Sequence, residues 1–146
     1  MPYSISPQEV ADEVRRDLVS LMDRPVPRAE VQIVRVPDQV LAFVRAGTTI
    51  INVNEAPFLR ANYSGLGREY LYVVLTHEYM HIIGVADERE VRRMTLEVVG
   101  KKFGEDGPAF RIAKELADPR DVRLWESHKE FSPHTFMLVS AHSSFA

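Results

Sequence analysis

Residues 69–83 contain no glycine or proline and are apolar on most sides, yet they carry two histidines and a glutamate. A helix that is apolar all round belongs inside a domain, so this segment predicts a central helix around which the rest must pack. Burying two imidazoles and a carboxyl group there is costly without partners. The residues are His77-Glu78-Tyr79-Met80-His81, the pattern H-E-x-x-H. Positions four apart are neighbours on one helix face, so both imidazoles can meet one ion. Glu78 is offset around the helix, where it can reach a water on that ion as a general base without ligating the ion.

A catalytic zinc takes three protein ligands and keeps one position for water. Gly84 points to the third. If the helix continued past it, Asp87 would face away from His81, and Glu88 would lie on the right face but ~10 Å along the axis. A glycine can adopt positive φ and turn the chain back. A carboxylate just after such a turn can reach the metal, and Asp87 is the best placed. Asp87-Glu88-Arg89-Glu90 is also a capping-box pattern for a following helix, which alone would explain both Asp87 and Glu90; conversely, Glu90, projecting from the first turn of that helix, is the alternative ligand. His128 and His134 are further spare groups.

Around this centre the sequence predicts an α+β order. Ser6-Pro7-Gln8-Glu9 reads as a capped helix start, followed by Val10, Val14, Leu18, Leu21 and Met22 at helical spacing. Residues 31–36, 40–45 and 48–54 read as three strands, the last two joined by a turn at Ala46-Gly47. Asn52 and Asn54 share one side of the third strand, which we expect either at a sheet edge, open to an extended peptide, or paired inside the sheet. Residues 56–67 read as a loop. Helices follow over about 87–102, with Val91, Met94, Val98 and Val99 inward, and up to Leu116, stopped by Asp118-Pro119. Residues 136–139 read as a strand or docked segment and 140–146 as a loose tail. With no repeat and no dividing linker, 146 residues suit one domain, and early strands followed by late helices argue against a regular βαβ order.

The run from His77 to Glu88 resembles H-E-x-x-H-x-x-G-x-x-D, the pattern of small zincin-like metallopeptidases of bacteria and archaea. These are similar to metzincins, with Asp in place of the usual third His. The specific resemblance covers about residues 70–99. It implies a minimal zincin-like fold, with a small mixed sheet packed on an N-terminal helix and the H-E-x-x-H helix. It also implies zinc ligation by His77, His81 and Asp87, with Glu78 as general base. Met137 is a counterpart for the Met-containing turn of metzincins. The stretch Glu90-Val91-Arg92-Arg93-Met94 resembles the glutamate helix of gluzincins and supports Glu90 as the alternative.

The expected function is zinc-dependent hydrolysis of a peptide or protein substrate. The alternative is a catalytically silent, metal-stabilised binding or regulatory module, in which a fourth protein ligand closes the metal. Zinc is the expected cofactor for a His/His/carboxylate set, with iron, manganese, cobalt and nickel as competitors. The absence of cysteine excludes disulfides and thiolate ligands and fits a reducing cytoplasm. The first ten residues have no basic n-region or apolar h-region, and the chain has no apolar run long enough to span a bilayer, so we expect no leader and no membrane partner. A net charge of −3 gives no bulk attraction for nucleic acid. Arg89, Arg92, Arg93, Lys101 and Lys102, interleaved with Glu88, Glu90 and Glu97, read as a solvated helix face.

Overall fold

Ser6 starts the first helix as the sequence predicts. In the computed structural model, which describes residues 5–116, its Oγ accepts a hydrogen bond from the Glu9 N–H at 3.2 Å, and Pro7 occupies the first helical turn of α1 (Pro7–Met22). Val10, Ala11, Val14 and Leu18 form the buried stripe of α1. Leu21 does not join it and is 46% exposed, whereas Met22, four residues after Leu18, packs partly buried against the core; the helix ends at Asp23 with φ 51°.

Three short strands follow: β1 (Glu30–Val34), β2 (Ala42–Val44) and β3 (Ile50–Asn54). The sheet is mixed, in the order β1-β3-β2, with β1 parallel and β2 antiparallel to β3. The third strand is therefore central, paired on both sides, and the edge on its antiparallel side is β2. Ile51 and Val53 are fully buried, and so, nearly, is Asn54. The Asn54 amide sits within hydrogen-bond distance of Val36 O, Pro37 O and Val40 O, and its Oδ1 accepts from the Val36 N–H. It thereby pins the β1–β2 connection to the end of β3 through three of its carbonyls and one N–H.

The expected loop at 56–67 is instead largely helix, α2 (Glu55–Tyr63). Pro57 does not break the helix: it occupies the third helical position, where the missing N–H is one that a first turn leaves without an intrahelical partner. Phe58 anchors α2 in the core. The chain then turns at Gly65 into α3 (Gly67–Ile82). A Cβ on Gly67 would stand 2.5 Å from Asn62 Oδ1 and 2.9 Å from Ile5 Cδ1, so a larger residue there would have to displace both side-chain ends.

Every residue of 70–80 is buried, as expected for a central helix. α3 packs against α1, α2, β2, α4 (Glu88–Phe103) and α5 (Pro108–Leu116). A polar lattice fixes α1, α3 and α4 together. The Tyr72 hydroxyl donates to Asp17 at 2.6 Å, Lys102 bridges Asp17 and Glu13 at 3.0 Å each, and Arg68 grips both oxygens of Glu13. Asp118-Pro119, Met137, His128, His134 and the segments expected at 136–139 and 140–146 lie outside the described residues. Among the described residues no helix is long and apolar enough to cross a membrane.

Tyr79, inside the H-E-x-x-H run, joins α3 to the approach to β1: its hydroxyl oxygen accepts the buried Ala29 N–H at 2.9 Å. Tyr79→Phe leaves that N–H without a partner and should destabilise the fold by about 1–3 kcal/mol in urea denaturation.

Candidate metal centre

α3 ends in a reversal that the backbone makes explicit. Gly84 has φ 107°, the Val85 N–H donates to Met80 O, and the Gly84 N–H donates to His81 O. This pair of bonds is the glycine-terminated cap that closes many helices. It sends residues 85–87 back past the histidines, and α4 begins at once.

The carboxylate brought to the histidines is Glu88. Its Oε1 lies 2.5 Å from His81 Nε2 and its Oε2 lies 3.2 Å from His77 Nε2. The two imidazole rings are 5.2 Å apart, centre to centre. One donor atom from each of His77, His81 and Glu88 lies within 4.8 Å of the others, so the three could hold a metal ion. The donor chemistry fits one. Nδ1 of His81 faces Val85 O at 3.0 Å, so the ring donates there, and Nε2 is the nitrogen turned toward a carboxylate oxygen, which it meets through a proton or, with the proton gone, as a lone pair facing an acceptor. Two acceptors facing each other at that distance need a cation between them, a proton or a metal.

Asp87, the ligand expected from the sequence, is placed elsewhere. It is the N-cap of α4, its Oδ1 accepts from the Arg89 N–H at 3.1 Å, and its side chain is 60% exposed. A carboxylate folded back onto its own helix end cannot also point across to the histidines. Glu90 pairs with Arg93 and also stays outside the cluster. Glu88 would lie ~10 Å along the axis from His81 only in an unbroken helix. The reversal at Gly84 removes that distance and delivers the first residue of α4 beside His81. A signal for this was present in the sequence: the capping pattern that engages Asp87 leaves the next residue to project from the helix start.

Glu78 follows His77 in the core and is 2% exposed. Burial, and secondly the negative charge of Glu88, push its carboxyl well above the usual range. His77 is lowered, first by burial and then by the charges of His81 and Arg92, with Glu88 acting in the opposite sense. Burial would raise Glu88, but hydrogen bonding to His77 and His81 outweighs it and holds the carboxylate ionised. Tyr70 is buried in the first turns of α3, two turns before His77, and burial raises its hydroxyl. A cavity of about 520 Å³ opens beside His81, between the β2–β3 turn (Arg45, Gly47, Thr48) and the α3–α4 turn (Gly84, Val85, Ala86).

No protein family matches this sequence, and neither the curated proteins nor the solved structures contain a significant match.

Glu88 and Asp87 can be told apart by titration of zinc against a chromophoric chelator. Glu88→Ala should weaken metal binding by more than about tenfold, or 1.4 kcal/mol. Asp87→Ala should leave affinity within about twofold while costing about 0.5–2 kcal/mol of stability through loss of the cap.

Proposed function

We propose that the chain is a zinc-dependent hydrolase of peptide bonds on a zincin-like scaffold. The observation that carries this reading is the convergence of His77, His81 and Glu88, with the buried carboxyl of Glu78 next in sequence to the first ligand. A third donor from the start of the following helix favours the glutamate-helix arrangement of gluzincins over the Asp-type pattern. A borderline-to-hard set of two imidazoles and one carboxylate suits zinc.

Bound zinc supplies a Lewis acid that polarises a carbonyl and lowers the pKa of its water to about 7. His77 and His81 would offer ring nitrogens to the ion, and Glu88 its carboxylate. Glu78 accepts the proton of the attacking water and returns it to the leaving amine. Burial favours the protonated form of Glu78, and a cation on the neighbouring donors works in the opposite direction, so its basicity is coupled to metal loading. An extended substrate fits the cavity beside His81, where Val44 ends the edge strand β2 and a peptide backbone can add alongside. Peptide is favoured over nucleic acid because much of the basic face of α4 is already engaged: Arg93 with Glu90, Arg89 with Asp87 and Lys102 with Glu13 and Asp17.

The test uses untagged protein loaded with zinc and an unstructured peptide pool, with cleavage read by mass spectrometry. Glu78→Gln should keep one zinc per chain and lose about 10²-fold or more of the hydrolysis. Full activity in that variant would refute the role of Glu78. Zinc binding by the wild type without cleavage of any peptide would replace the hydrolase reading with the silent, metal-stabilised module.

A further inference from the structure

The third residue group at the centre is an arginine. Arg92 lies one helical turn beyond Glu88 on α4, and its side chain is only 2% exposed. An arginine that merely covers apolar surface carries its head out to water. This one is drawn inward, and because a guanidinium keeps its charge at any pH it must have a compensating anion there. Its Nη1 lies 3.9 Å from Glu88 Oε2. The same carboxylate meets His81 through Oε1 and His77 through Oε2. Glu88 stands in the first turn of its helix, where a long side chain has several rotamers and solvent within reach. A fixed charge one turn along selects among them.

We propose that Arg92 is a positioning residue of the metal centre: its buried charge, 3.9 Å from Glu88 Oε2 on the α4 side, biases the carboxylate so that Oε1 is the oxygen presented toward His81. This rests on the metal reading given above. Two effects of opposite sign are in play. As a nearby positive charge, Arg92 repels a cation from the carboxylate, and its removal would tighten binding. As an orienting partner it preorganises the ligand, and its removal weakens binding, by 10–100-fold for outer partners of this kind. The positioning role requires that the second effect exceed the first.

The experiment compares wild type, Arg92→Met and Arg92→Lys by cobalt(II) titration, reading both affinity and the visible absorption of bound cobalt, beside thermal melting of the metal-free proteins. Arg92→Met should weaken cobalt binding by about tenfold or more and alter the absorption bands, because the carboxylate is no longer biased toward presenting Oε1. Arg92→Lys, which restores charge without the planar fork, should fall between. If the methionine variant does not fold, the lysine variant decides: a several-fold loss with altered bands supports the role, and wild-type behaviour overturns it. A spectrum and affinity unchanged in Arg92→Met, or an affinity that rises, overturns the role and leaves the metal reading intact. Failure of the wild type to bind cobalt or zinc overturns both.

Discussion

The burial of α3 is the constraint on which the other elements depend. Every residue of 70–80 is enclosed, so α1, α2, α4, α5 and β2 are arranged as the surfaces that enclose it. Most of that helix is rewarded for burial by apolar contact. His77, Glu78 and His81 are not, and the two histidines are accommodated by being gathered with Glu88 and Arg92 into one polar cluster. The centre is therefore the condition under which such a helix can occupy the core, as well as the feature with chemical potential.

Precision at that cluster comes from short-range backbone devices. Gly84 takes a conformation that side chains disfavour, and the two capping bonds around it fix the direction in which the chain leaves α3. Asp87 then fixes where α4 begins. With both ends of the connection set, Glu88 has little choice of position. The lattice of Glu13, Asp17, Arg68, Tyr72 and Lys102 acts at the other end of α4, where it holds that helix against α1 and α3.

The polar residues of the sheet serve a similar end by another route. Asn54 would be an odd choice for a buried strand terminus on apolar grounds. It pins the β1–β2 connection to the end of β3, which lets β2 lie at the edge of the sheet and against α3. The cavity beside His81 exists because the β2–β3 turn and the α3–α4 turn then face each other.

Local chemistry was enough to determine much of this protein from its sequence. Periodicity and capping placed α1, α3 and α4 to within a residue or two, and β-branched runs located the three strands. The four-residue spacing of His77 and His81 on one helix put two donors on one face, because helical geometry is a property of the chain itself. What only the tertiary structure decided was which carboxylate meets them. That choice depends on the path of three residues after Gly84 and on which side chain the helix cap consumes, and neither is a periodic property. Asp87 and Glu88 are adjacent and chemically alike. A cap bond holds the first at the surface, while the return of α4 across α3 carries the second, with Arg92 behind it, to the histidines.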